Sequence, residues 1–402
     1  MSPPFVTSVF IRNYKSIAKC GVRLGSLNLL VGPNGAGKSN FLDSLRFVAD
    51  ALNTTLEFAL RDRGGINSVR RKSRGHPTHF GIRLDLQLLD GRAGLYAFKV
   101  GAERDGAFVV QREECRIFPL LPAKEEFFVV EDGKVIASSV EIGSLLERDR
   151  LALVTLSGLP EFRAVYDSLR RMGFYNLNPQ RIRSLQDPDP GQLLARDGRN
   201  LAALVRELGR HDGGRILEQV AEHLKAVVPG VLGVEHKTIG PKETIEFRQV
   251  VAGDENAGFL AENMSDGTLR ALGILVAAFQ AGMNAKRVSL VGIEEPEIAL
   301  HPGATEVIAI ALILAAQVVQ VIVTTHSPDL LDHKEIRDEH ILAVSAEKGE
   351  TVIAPLDTVA RDVLRDRLYR PGELLTQGQM RPDVGAAEEA ARQMSLFSDS
   401  KD

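Results

Sequence analysis

Cysteine is scarce: Cys20 and Cys115 are the only two in 402 residues, and neither belongs to a CxxC pair or a Cys/His cluster. That spacing argues against a disulfide framework or a thiolate metal centre and suits two core thiols in a reducing compartment. No charge of one sign prevails, since 49 Lys and Arg face 53 Asp and Glu for a formal net charge of -4. A general nucleic-acid-binding coat is therefore not expected, and any DNA contact must come from a local patch. Long apolar runs are also missing. The longest candidate, "EVIAIALILAAQVVQVIVTTH", opens on Glu306 and contains Gln317 and Gln320, so it falls short of the roughly 18 uninterrupted apolar residues of a membrane span. It reads as a buried helix followed by a buried strand. The N-terminal "MSPPFVTSVFIRNYKS" lacks the charged-then-apolar layout of a secretion signal, and neither an internal repeat nor a long heptad run occurs. A cytoplasmic protein without a membrane partner is expected.

What the chain does have is an ordinary globular composition, 44% hydrophobic and 25% charged, with room for two or three domain-sized units. Residues 28–45 read "NLLVGPNGAGKSNFLDSL". Gly32, four residues, then Gly37-Lys38-Ser39 fits a phosphate-binding loop between a strand and a helix. In such a loop Asn34, Gly35, Gly37, Lys38, Ser39 and Asn40 surround a polyphosphate at a helix N-terminus. Lys38 reaches the terminal phosphates, and the Ser39 hydroxyl takes a place on Mg²⁺. Phe41, Leu45, Val48 and Leu52 keep the spacing of one helix face.

The patterning predicts an α/β chain in four parts. Residues 1–140 carry the phosphate loop and then a β-subdomain of short alternating strands such as "HFGIRLDLQLL" and "AFVVQREECRI". Residues 141–230 turn helical, as in "NLAALVREL" and "RILEQVAEHLKAVV", and read as an inserted helical lobe. Residues 231–370 open on a strand pair near 232–250 and return to helix 267–281, strand 287–293, helix 303–317 and strand 319–325, the order of βαβ units. The tail 371–402, rich in Gly, Gln, Ala and charge, is expected to be disordered.

Three more features sit where chemistry belongs. The strand "RVSLVGI" ends in Glu294-Glu295-Pro296-Glu297. Carboxylates at the C-terminal end of a parallel strand beside a phosphate loop face the metal and the terminal phosphate, so Glu294 is assigned to the metal and Glu295 to the attacking water. The next strand, "VQVIVTTH", delivers His326, whose imidazole can hydrogen-bond a phosphate oxygen or that water. In "ENMSDGTLRALGILVAAF", Ser265 reads as an N-cap, Asp266 suits the positive end of a helix, and Gly267 permits close approach.

Phosphate loop, Ser-Asp-Gly signature, doubled acid and strand-end histidine, in that order, resemble the P-loop ABC-type ATPase head. The branch is that of SMC, RecF and compact OLD-like ATPases. "VFIRNYKSI", "EEPEIALHP" and "TTHSPDLL" carry the likeness most strongly, "RGGINSV" and "RDGRNLAALV" more weakly. The resemblance implies ATP and Mg²⁺ and a homodimer that sandwiches nucleotide, with Ser265 and Gly267 acting on ATP held by the other subunit. It also implies a mixed sheet, a glutamine in the Mg²⁺ shell, for which Gln111 is the candidate and Gln87 the second, and DNA-related work in phage defence or repair. A separate effector or nuclease is expected, because the stretch beyond His326 is too short for the TOPRIM nuclease of larger relatives. Glu294 departs from the aspartate usual at its position, which favours slow turnover. An ABC transporter's ATPase subunit and a nucleotide-gated scaffold are the alternative readings.

Two segments suggest partners. Arg61, Arg63, Arg70, Arg71, Lys72 and Arg74 form a basic stretch that could meet a phosphate backbone. Gln393-Met394-Ser395-Leu396-Phe397 resembles the peptide by which bacterial repair proteins hook the sliding clamp, and needs an exposed Leu-Phe pair.

Overall fold

The computed structural model describes residues 3–73, 75, 77–120, 124–143, 146–251, 254–280, 288–298, 302–347 and 349–398. The chain opens with β1 (Val6–Tyr14), β2 (Ile17–Arg23) and β3 (Leu27–Val31). The helices α1 (Lys38–Asn53), α2 (Leu56–Arg61) and α3 (Ile66–Val69) follow. The strands β4 (His79–Gln87), β5 (Ala93–Ala102), β6 (Phe108–Phe118), β7 (Glu126–Glu131) and β8 (Lys134–Ser138) join β1 and β2 in a seven-stranded sheet of order β2-β1-β4-β5-β6-β7-β8. Every pairing in it is antiparallel.

Next come α4 (Ala152–Leu156), α5 (Pro160–Arg170), β9 (Met172–Tyr175), α6 (Pro179–Arg183), α7 (Leu201–Arg210) and α8 (Arg215–Val227). This stretch, expected as one inserted helical lobe, is divided between the two main cores. Phe162, Val165 and Leu169 of α5 pack with α1 in one, and Leu204, Leu208, Val220 and Leu224 pack in the other. Between them β9 pairs parallel with a strand of the central sheet. Helical periodicity is local and does not report which core a helix joins, so the split was invisible in the pattern. The strands β10 (Val231–Ile239), β11 (Lys242–Val251) and β12 (Asp254–Leu260) form a separate antiparallel sheet.

The last third contains α9 (Asp266–Phe279), β13 (Leu290–Glu294), α10 (Pro302–Val318), β14 (Gln320–Thr325), α11 (Pro328–Leu331), β15 (Ile341–Glu347) and β16 (Glu350–Pro355). They complete a six-stranded mixed sheet, β16-β15-β3-β14-β13-β9, parallel except for the β15–β16 pair. Its central strands β3, β14 and β13 are buried on both faces, and successive side chains alternate between them. Leu27, Leu29 and Val31, with Val321 and Val323, face the core built on α7 to α10. Leu30 and Ile322 face the other, with α1 and the seven-stranded sheet. Because β3, β14, β13 and β9 run parallel, their C-terminal ends share one edge. Among the described residues no helix is long and apolar enough to cross a membrane.

The tail departs from expectation. After α12 (Thr358–Arg365), it forms α13 (Pro371–Thr376) and α14 (Val384–Gln393), and the chain then lies across the seven-stranded sheet. Leu396 and Phe397 are 2% and 5% exposed against Phe10, Leu95 and Ala97. Arg83 Nη1 donates to the Ser395 carbonyl at 3.0 Å, the Ser398 amide to Glu114 Oε2 at 3.2 Å, and the Arg112 guanidinium lies 4.6 Å from the Phe397 ring centre. A Cβ at Gly81 would come within 2.4 Å of Leu396, so the missing side chain makes the seat. The segment expected to be disordered is ordered here because its apolar pair finds a sheet face hundreds of residues away in sequence. The Gln393–Phe397 motif is therefore not an exposed hook for a sliding clamp. Residues 399–402 lie outside the described residues.

Candidate nucleotide site at the shared strand edge

The loop after β3 turns at Gly35 and Gly37, both at positive φ (79° and 105°), before α1 begins at Lys38. Gly37 is obligatory for a second reason, since a Cβ there would lie 2.1 Å from Thr351 Oγ1. Thr351 belongs to β16 and bonds Ser16 Oγ at 2.7 Å, which accepts from Asn40 Nδ2 at 2.7 Å. The loop is thus braced by the edge of the sheet and by the turn after β1. Lys38 is 4% exposed and donates to the carbonyls of Gly32 and Pro33 at 2.6 and 3.1 Å. Burial lowers its pKa, and Glu295 and Glu297 pull it back up. Ser39 and Asn34 are exposed beside it.

The acids and the histidine come from the two neighbouring strands. Glu295 holds φ 40°, a left-handed conformation uncommon for a non-glycine residue, and its amide donates to the Thr324 carbonyl at 2.9 Å. Its Oε1 lies 3.7 Å from His326 Nδ1. Glu294 Oε1 is bound by Arg196 Nη2 at 2.7 Å. Glu297, to which the sequence pattern assigns no role, is the best-fixed carboxylate of the group. It is 8% exposed, its Oε1 accepts from Thr325 Oγ1 at 2.6 Å and from the His326 amide at 3.0 Å, and its Oε2 is buried with no hydrogen-bond partner among the described residues. These residues fit a magnesium-bound nucleoside triphosphate. Backbone N–H groups at the start of α1 and a buried ammonium offer donors to phosphate, while an exposed serine and half-buried carboxylates offer oxygen ligands.

Other expected residues lie elsewhere. Ser265 caps α9, accepting from the Thr268 amide at 3.2 Å, and Asp266 pairs with Arg183 at 2.5 Å. Among the described residues no hydrogen bond or ion pair joins Ser265 or Gly267 to the phosphate loop. Gln111 is on β6 of the other sheet, in a cleft with Lys99 and Phe397, and Gln87 donates to the Gly91 carbonyl in the β4–β5 hairpin. Neither is at the strand edge, because both belong to strands of the antiparallel sheet. The residue that does follow a strand end beside Glu294 is Asn176, exposed just after β9. Its strand is only four residues long and gives little sequence signal.

The basic stretch is also regrouped. Arg63 has a side chain only 3% exposed, paired with Asp43 at 3.0 Å and Asp50 at 2.8 Å. Arg70 is tied to Asn67 and Pro77, and Arg71 to the Ser16 carbonyl and Glu350. Arg61 and Lys72 are exposed, and Arg74 lies outside the described residues.

A family model described as "AAA domain, putative AbiEii toxin, Type IV TA system" matches residues 27–332. A curated relative, the chromosome partition protein Smc of Desulfitobacterium hafniense (strain Y51), is 27% identical over 274 residues, which is 62% of this chain and 22% of that protein. The chain therefore spans under a quarter of that relative's length. Two solved structures share the fold. One is an Smc head bound to the C-winged helix domain of ScpA (15% identity, TM-score 0.52, 89% of this chain and 99% of that one). The other is an Smc head with an extended coiled coil bound to the C-terminal domain of ScpA, derived from Pyrococcus furiosus (14% identity, TM-score 0.51, 91% and 100%). The match covers the phosphate loop, α9 and the strands that end in Glu294 and His326, and the chain belongs to this AAA-domain family, with the fold of the Smc heads.

Proposed function

We propose that the chain binds and hydrolyses ATP as a nucleotide-gated homodimer in the cytoplasm, and that closure of the two heads drives a separate effector or nuclease in phage defence or DNA repair. The observation that carries this reading is the convergence of Lys38, Glu295, Glu297 and His326 on one sheet edge. Lys38 would balance terminal phosphate charge, and Ser39 with Glu294 would hold Mg²⁺, whose charge stabilises the phosphoryl oxygens in the transition state. Glu295 would orient the attacking water and take its proton, and His326 would hold the terminal phosphate or that water. Ser265 and Gly267 would complete the site of the opposite subunit. The solved relative bound to a ScpA domain supports a protein partner for this head as well.

Glu295→Gln tests the assignment. The variant should retain ATP, lose turnover by about 10²-fold or more, and accumulate as a dimer on size-exclusion chromatography with ATP. Normal hydrolysis would remove Glu295 from the role of base. A slow scaffold is the second reading, favoured by the Arg196–Glu294 pair, which occupies the metal-side carboxylate. Under that reading Arg196→Ala raises the turnover rate, whereas an unpaired Glu294 leaves a committed hydrolase unchanged or slower.

A further inference from the structure

A cleft of about 980 Å³ opens between the segment that follows α11 and the connection from α12 to α13. Six cations line it, Lys334, Arg337, Arg361, Arg365, Arg367 and Arg370, against three carboxylates. In a chain of net charge -4 this is a local concentration that composition does not supply. Part of it is neutralised, as Arg365 pairs with Asp362 at 2.9 Å, Arg337 with Glu339 at 3.3 Å and Arg361 with Asp383 at 3.3 Å. Lys334, Arg367 and Arg370 carry no ion pair among the described residues, and Arg361 Nε is buried without a hydrogen-bond partner there.

Arg367 has a further peculiarity. It sits at φ 55° where α12 ends, the position at which glycine or asparagine relieves the chain at least cost. A charged side chain thus stands where glycine would relieve the backbone at least cost. Two residues on, Tyr369 lines the same cleft and is 43% exposed.

We propose that this cleft binds a single strand of nucleic acid, with phosphates on the arginines and a base stacked on Tyr369. Five of the six cations are arginine, whose planar fork matches phosphate in two-point contacts that lysine cannot make. An open aromatic face serves an unstacked base, which a strand offers and a duplex does not. A concave site also fits a strand better than a flat bilayer. The cleft adjoins the nucleotide edge. The Gly372 amide of α13 donates to Asp332 Oδ1 at 2.7 Å, and Leu375 and Thr376 line a cavity of about 550 Å³ that also contains Asn34 and His326. One short helix thus borders both spaces.

The test is fluorescence anisotropy of a labelled oligothymidine of about 20 nucleotides with the full chain, titrated at roughly 50 to 300 mM salt. Arg367→Ala with Arg370→Ala should weaken binding at least tenfold and flatten the log–log salt slope by about 1.4, two contacts at about 0.7 each. Tyr369→Ala should weaken it about fivefold to a hundredfold. Arg367→Gly separates contact from folding, since it should raise the melting temperature while weakening the strand. Equal affinity for wild type and the double variant, no binding at the lowest salt, tighter binding of duplex, or displacement by polyglutamate at equal charge would each overturn the proposal. The binding claim does not rest on hydrolysis, so Lys38→Ala protein should hold the strand as wild type does. Loss of binding in that variant would overturn the separate site.

Discussion

Glu297 shows how much of the site depends on one buried carboxylate. Its Oε1 fixes the Thr325 hydroxyl and the His326 amide together, so it orients the strand end that carries the imidazole. Glu297→Gln should lower kcat by about tenfold to a hundredfold with little change in ATP affinity, because it disturbs positioning rather than phosphate contact. Steady-state ATPase assays beside nucleotide binding check this, and equal losses in both would assign Glu297 to binding. Its role was not legible because its partners stand 28 and 29 residues away. Asp43 makes a structural counterpart. Burial pushes its carboxyl up, but Arg63 and Lys15 outweigh that and hold it at about 2. The folded value is below the ordinary 3.8, so the stabilisation is fully present above that pH and is lost as pH falls through about 2. It amounts to about 2 kcal/mol. Asp43→Asn should therefore destabilise the protein at neutral pH by about that much, with the gap narrowing below pH 3.8 and closing as pH falls through about 2. A gap independent of pH in chemical denaturation would contradict the ion-pair account.

At the scale of elements, the sequence was readable wherever a strand or helix announces itself by period. Apolar strands ending in polar residues located β3, β13 and β14 and, with them, Lys38, Glu294, Glu295 and His326 at or just beyond the ends of neighbouring strands. Long-range pairing was not readable. Gln111 lies on a strand of convincing pattern in the wrong sheet, and β9 at four residues is too short to show a period at all. The tail misled for a related reason, since low local hydrophobicity says nothing of a Leu-Phe pair seated on Phe10 and Leu95. That seat has a measurable consequence. Leu396→Ala with Phe397→Ala should cost about 5 to 10 kcal/mol, the range for removing one buried leucine and one buried phenylalanine side chain. A melting temperature unchanged from wild type would mean the pair is not packed as described.

At the scale of the molecule, the proposed nucleotide sandwich calls for a second head. The phosphate loop, both acids and His326 share an edge, whereas Ser265 is exposed at the start of α9 with no polar link to that loop among the described residues. A second head supplies the missing contact if the signature acts across the dimer. Mixing Ser265→Arg subunits with Lys38→Ala subunits tests this most directly, because in a mixed dimer both lesions fall in one composite site and leave the other whole. Each variant alone should show near-zero ATPase, and an equal mixture should recover to about a quarter of wild-type turnover, since half the dimers are mixed and each keeps one site of two. No recovery, with mixed dimers demonstrated by differential tagging, would contradict a signature acting in trans at independently firing sites.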